Sequence, residues 1–353
     1  MWEQFIGNGE AVGMLRGLVA AGQGCRTLVL AGPEGVGKTT LAYLFGLALN
    51  CEAPGTGGAI CGQCASCRQA AAPAALAERL AEAVSFRAAE VKTSPRETAP
   101  LVVAPHPAVR WYPPDGDMLS LPQARALMRQ AHLTPDAGRR WVLIVADLDR
   151  ARWATQAALL KTLEEPPPAV AIVALARNPL ALLPTVRSRA LLVRLAPVAA
   201  PELARVLAAR GAAAPELVAR LAHGRPGRAL GFDLEAYRAR RAQALELVRA
   251  AAADRPAAAA LLSASESTRG SKEIFESLVE ILYSVLQDIG YLQSGFSEAV
   301  CNVDCLPELD SLARRFQPSR LAALAEGLDR AQSAAERNAF RPLALAAWAL
   351  QRP

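Results

Sequence analysis

Two groups of residues have the types and spacing to do chemistry. Gly32-Pro33-Glu34-Gly35-Val36-Gly37-Lys38-Thr39 fits G-x-x-x-x-G-K-[ST]. Glycines at that spacing let successive backbone N–H groups curl around phosphate oxygens. The lysine reaches the β- and γ-phosphates, and the threonine hydroxyl serves Mg²⁺. The candidate nucleotide set is therefore Gly32, Gly35, Gly37, Lys38, Thr39 and Thr40, with ATP or ADP and Mg²⁺ as the expected ligands. A chance glycine turn is the competing reading. The apolar run before the motif and the helical stretch Thr40 to Asn50 after it supply the strand–loop–helix setting that phosphate binding needs. Such a loop also needs an acidic partner at a neighbouring strand end, and Asp147, after Val142 to Ala146, is the candidate. Its plainer reading is a strand-end turn residue. Leu148 follows, where a hydrolysing enzyme would carry a water-activating glutamate, and Asp149 is offset by two positions. The pattern predicts nucleotide binding with weak or absent hydrolysis.

The second group is Cys51, Cys61, Cys64 and Cys67. The last three recur at every third residue, so one tight turn can aim their thiolates at a common point, with Cys51 returning from the preceding helix. Four thiolates suit a closed tetrahedral Zn²⁺ site, structural rather than catalytic. Incidental cysteines are the alternative. Cys25 reads as a small buried residue beside the first strand, and Cys301 and Cys305 as structural residues able to share a helix face. The three histidines, His106, His132 and His223, are too scattered for a histidine metal site.

Three short apolar runs, Thr27–Ala31, Trp141–Ala146 and Ala171–Leu175, predict buried strands, with amphipathic helices at Leu121–His132 and Ala154–Leu163 between them. Strands alternating with helices predict an α/β domain with a parallel sheet to about residue 197. Short Ala/Leu-rich helices follow to 236, and longer ones from 237 to 353, where Ile274, Leu278, Ile281, Leu282, Val285 and Ile289 fall on one face. Residues 72–104 predict an inserted helix and a mobile loop. Leu159-Leu160-Lys161-Thr162-Leu163-Glu164-Glu165-Pro166-Pro167 reads as a helix whose stop is set by the prolines. Arg187-Ser188-Arg189 by spacing alone reads as a solvated basic turn.

The chain has 353 residues, 52% of them apolar, and a net charge of +6, so disorder is excluded as the main state. No apolar run reaches the roughly 18 residues of a membrane helix, and no secretory signal opens the chain, which predicts a soluble, cytoplasmic protein. Of its 39 basic residues 35 are arginines, spread along the chain, which permits nucleic-acid contact without identifying it.

Taken in order, these motifs resemble the AAA+ clamp-loader subunits of bacterial DNA polymerase III. The likeness runs through the phosphate loop, the four-cysteine module, the strand with Asp147, the Leu159–Pro166 stretch and Leu183-Pro184-Thr185-Val186-Arg187-Ser188-Arg189; the insertion at 72–104 lies outside it. The resemblance implies an AAA+ nucleotide-binding domain (1–197) carrying a zinc knuckle (51–67), a helical lid (198–236) and a helical collar (237–353). Within the family the ATP-burning gamma/tau motor carries Asp-Glu where this chain has Asp147-Leu148, and an arginine where it has Gly227. Those differences, and the Leu306–Leu350 run, are similar to the delta-prime branch. That likeness implies a stator that works with gamma/tau and delta subunits to load a sliding clamp on primed DNA. It also implies that Arg189 acts as an arginine finger completing a neighbour's ATP site. The alternatives are a gamma/tau-like motor or another AAA+ ATPase, and a zinc- and nucleotide-containing DNA adaptor.

Overall fold

The three apolar runs lie side by side in one six-stranded sheet of the computed structural model, which describes residues 1–24, 26–90, 99–136, 139–252, 272–336 and 341–349. The strands are β1 (Thr27–Ala31), β2 (Val103–His106), β3 (Val109–Tyr112), β4 (Trp141–Val145), β5 (Val170–Ala176) and β6 (Leu191–Arg194), in the order β2-β3-β4-β5-β1-β6. Every pairing is parallel except β2 with β3, so the expected parallel sheet carries one antiparallel edge pair. Pro105 is tolerated in β2 because an edge strand need not donate on both sides.

Successive residues of the central strands point to opposite faces. Leu28, Leu30, Val142, Ile144, Val173 and Leu175 join one core, with helices α1 (Gly9–Ala20) and α2 (Lys38–Leu49) over it. Val29, Leu143, Val145, Ile172 and Ala174 join the other, under α5 (Leu121–Ala131) and α6 (Trp153–Glu164). Both faces are covered by helices, and each large apolar side chain buried there contributes about 1.5–3 kcal/mol. Between α2 and β2 lie the short helix α3 (Ala65–Arg68) and α4 (Leu76–Glu90). The predicted loop at Lys92–Arg96 lies outside the described residues. Helix α6 ends where the prolines require: Glu165 leaves helical geometry at φ −132° and ψ 71°. Helix α7 (Pro184–Arg189) leads into β6.

The described chain forms two compact units. The first comprises residues 1–202 and 225–228, and the second 203–224 and 229–353. The second is entirely helical among the described residues. Its central helix, Lys272–Gln293, buries Leu278, Ile281, Leu282, Val285 and Ile289 as predicted, with Phe275 in the core beside a half-buried Ile274. A buried polar network crosses this unit. Arg241 makes a two-point ion pair with Asp304 at 2.5 and 2.7 Å and donates to Asn302, whose side chain also reaches Asp288 at 2.7 Å. Cys301 and Cys305 do not share a helix face: one lies in a loop and the other caps the helix Leu306–Arg315. No helix of the described residues is long and apolar enough to cross a membrane.

Candidate nucleotide and metal sites

The phosphate loop sits at the end of β1 and opens α2, which starts at Lys38, two residues earlier than its apolar pattern predicts. Gly37 caps the helix at φ +104°, a conformation L side chains rarely adopt, and a Cβ there would come within 2.9 Å of the Phe5 ring. The helix N-terminus presents free N–H groups to an anion. Lys38 is nearly buried and folds back on the loop, donating to the Gly32 and Pro33 carbonyls at 2.6 and 2.8 Å. Burial lowers its pKa, with Asp147 opposing and Arg177 adding to the fall. Thr39 and Thr40 follow on the first turn of α2, half-buried.

Asp147 stands where the sequence predicts an acid, beside the loop, in a left-handed conformation (φ +45°) after β4 has ended at Val145. Its carboxylate already has a partner. The Arg177 guanidinium, just beyond β5, lies 3.5 Å from Asp147 and 2.6 Å from Glu34 of the phosphate loop. Leu148 is buried in the core. Asp149 uses one oxygen on the next strand's end: its Oδ2 accepts the Arg177 and Asn178 backbone N–H groups at 3.0 and 2.8 Å, while its Oδ1 is buried without a hydrogen-bond partner. Three acids, Asp147, Glu34 and Asp149, thus surround Lys38, and two of them, Asp147 and Glu34, already pair with Arg177, which a Mg²⁺ ion on those carboxylates would have to displace.

The segment 225–228 covers the loop. The Gly227 N–H donates to the Gly35 carbonyl at 2.7 Å, and a Cβ on Gly227 would lie 3.0 Å from that oxygen and 3.3 Å from the Gly35 Cα. A glycine is needed here for close backbone approach.

The four cysteine sulfurs lie within 4.8 Å of one another. The Cys61–Cys67 and Cys67–Cys51 pairs, at 3.9 and 3.8 Å, match the roughly 3.8 Å edge of a tetrahedron with Zn–S bonds of about 2.3 Å. Backbone N–H groups point at the sulfurs: Gln63 and Cys64 donate to Cys61, and Cys67 donates to Cys64. Those bonds draw Cys61 down to about 6, whereas burial pushes Cys51 and Cys67 up. A bound dication would favour the thiolate at all four, so the set fits a structural zinc. The module is stitched to its surroundings by Trp2 Nε1 on the Gly58 carbonyl at 3.1 Å and Tyr43 Oη on the Ala71 carbonyl at 2.8 Å. His106 of β2 completes the support: its Nε2 lies 3.0 Å from Ser66 Oγ, between two of the cysteines.

Arg189 ends α7 with its side chain 55% exposed and paired to Glu164 at 2.9 Å. It lies at the surface, apart from the chain's own phosphate loop in sequence and in bonding.

Residues 7–199 match the family model described as DNA polymerase III, delta subunit, and residues 235–352 match the model for its C-terminal part. The chain belongs to this family. It is 29% identical over 231 residues to subunit delta′ of DNA polymerase III from Pseudomonas aeruginosa, over 64% of this chain and 61% of that one. The chain thus spans about three fifths of the length of that relative. Among solved structures it is similar to the Thermotoga maritima RuvB Holliday junction branch migration motor (17% identity, 88% of each chain, TM-score 0.40). It is likewise similar to a DNA polymerase III gamma subunit-related protein of T. maritima (16% identity, 95% and 97% of the chains, TM-score 0.39) and to the Bacillus subtilis clamp loader delta protein (15%, 96% and 99%, TM-score 0.30). Overlays this loose say nothing about function.

For this DNA polymerase III family member, three residues that sequence spacing did not single out tie distant segments together, two of them in the sites. Arg177 is 30 residues from Asp147, His106 is 40 from Ser66, and Asn8 pairs with both backbone groups of Ala196 at 2.8 and 2.9 Å. Only Arg177 left a signal, a charged Arg-Asn-Pro directly after a buried strand. Cys25 lies outside the described residues, and the Cys301 sulfur contacts His223 Nδ1 at 3.5 Å.

Proposed function

We propose that this chain is a delta-prime subunit, the stator of a bacterial DNA polymerase III clamp loader. It binds ATP or ADP on Lys38 and its loop without efficient hydrolysis, and its Arg189 completes the ATP site of a neighbouring motor subunit. The observation that carries the reading is the loss of the hydrolytic acid. Leu148, where a hydrolysing enzyme carries a glutamate, is in the core, Asp149 spends one oxygen on the Arg177–Asn178 backbone, and an arginine paired to Glu164 rather than to the chain's own loop is exposed at the end of α7. The pair with Glu164 does not prevent delivery, since an exposed ion pair contributes only ~0–1 kcal/mol. The three working parts would be the AAA+ domain (1–197), the lid (198–236) and the collar (237–353). The collar would join gamma/tau and delta subunits, and the assembled ring would place the sliding clamp on primed DNA. Zinc on Cys51, Cys61, Cys64 and Cys67 would cross-link the module and do no chemistry.

Mixing the purified chain with motor and delta subunits tests the assignment. The expected results are one stable complex by light scattering and no ATP turnover by the isolated chain. The intact phosphate loop favours a second reading, a gamma/tau-like motor, and turnover by the isolated chain would select it. Tight, salt-sensitive DNA binding by the chain alone would select a DNA adaptor instead.

A further inference from the structure

A P-loop normally meets its nucleotide's charge with one lysine and one Mg²⁺, the ion held by the acid on the neighbouring strand. In this chain the acid's partner is a side chain. Arg177 lies between Asp147 and Glu34, and its backbone N–H is fixed by Asp149 at 3.0 Å. The position is therefore set by both the main chain and the side chain, at the end of a fully buried strand.

We propose that Arg177 takes the place of the Mg²⁺ ion, so that this chain binds the polyphosphate of ATP or ADP without a divalent cation. The inference rests on the nucleotide-binding reading and deepens it. Two cations, Lys38 and Arg177, face the loop, and each is held by groups that a phosphate can replace. Lys38 is held by two loop carbonyls. Arg177 is held by Glu34, whose side chain is 66% exposed and can turn to water, while the Asp147 contact is the more sheltered at 18% exposure. On nucleotide entry Glu34 releases one edge of the guanidinium to the phosphates and Asp147 keeps the other. A guanidinium offers five donors in a plane and can serve carboxylate and phosphate together. It does not activate water as a metal can, consistent with a site that carries Leu148 where a hydrolysing enzyme carries a glutamate. Arg177 is thus a positioning residue for phosphate in a site that binds and does not turn over.

The test is titration calorimetry of the full zinc-loaded chain with ATP. It is run with added Mg²⁺ and in buffers cleared of divalent ions over a chelating resin, which spares the structural zinc. Wild type should bind with affinities within about threefold of each other in the two buffers. Arg177→Gln should weaken metal-free binding by at least about tenfold, the loss expected for one charge-assisted hydrogen bond. Glu34→Gln should strengthen it. Melting curves of each variant establish that it is folded. Wild-type binding that disappears without Mg²⁺, or Arg177→Gln binding as tightly as wild type in the cleared buffer, overturns the proposal and leaves nucleotide binding standing. No binding in either buffer, with Lys38→Ala indistinguishable from wild type, overturns both.

Discussion

Lowering the pH from 7 to 5 should leave His106 neutral in the folded protein while the unfolded chain takes up a proton. The ring is buried and doubly held. Nδ1 accepts the Ala108 N–H at 3.0 Å, so the proton sits on Nε2, which faces Ser66 Oγ at 3.0 Å and the Ser66 carbonyl at 3.2 Å. Protonating Nδ1 would set two donors against each other. Burial, above all, and then the positive charge of Arg139 push the pKa down to about 4, against the weaker opposing effect of the Ser66 carbonyl. A base whose folded pKa is depressed stabilises the fold above its unfolded pKa and loses that contribution as pH falls through the folded value. With an unfolded value of about 6.5 and 1.36 kcal/mol per pKa unit, about 2 kcal/mol is lost by pH 5 and about 3 kcal/mol below pH 4. The assay is a pH titration of the imidazole resonances by two-dimensional NMR, with His106→Asn assigning the signal among the three histidines. The expected result is a ring that keeps its Nε2–H tautomer and does not titrate above pH 5. Titration near 6.5, or a proton on Nδ1, would refute the reasoning.

The other expectations concern the metal, the cover over the phosphate loop and the helical unit. Metal analysis should give one zinc per chain, and Cys64→Ser should abolish it and lower the melting temperature; cobalt exchanged into the site should show tetrahedral thiolate spectra. Gly227→Arg should not create a phosphate sensor. Its Cβ meets the Gly35 backbone, so the expected outcome is a loss of about 1–3 kcal/mol in urea unfolding. Arg241→Ala should destabilise the helical unit by about 1.5–3 kcal/mol by removing the two-point partner of Asp304 and one donor to Asn302, whereas Arg238→Ala, on the exposed side of the same carboxylate, should cost under about 1 kcal/mol.

What was legible in the chain follows range. The phosphate loop and the cysteine module are local: their residues lie within eight and seventeen positions, and spacing alone brings them together. The central strands were legible because burial on both faces makes continuous apolar runs of four to seven residues. β2, β3 and β6 were not, since each has four residues and they carry Pro105, Arg110 and Arg194, which break the apolar pattern. The parallel sheet was therefore expected without its antiparallel edge. Arg177 and His106 act across 30 and 40 residues, and nothing in local spacing announces such a contact. Asp149 is opaque in the sequence for the same reason: its partners, Arg177 and Asn178, come from the next strand's end.

The central claim is that this chain does not burn ATP itself but completes a neighbour's site with Arg189. The measurement that tests it most directly is DNA-stimulated ATP hydrolysis by the complex reconstituted with motor and delta subunits, comparing wild type with Arg189→Ala in equal, fully assembled amounts. The account predicts a fall of about 10³-fold at the site this chain completes, the scale of an arginine finger in phosphoryl transfer. Other sites in the ring would set the residual rate. Unchanged hydrolysis in an intact complex would contradict it.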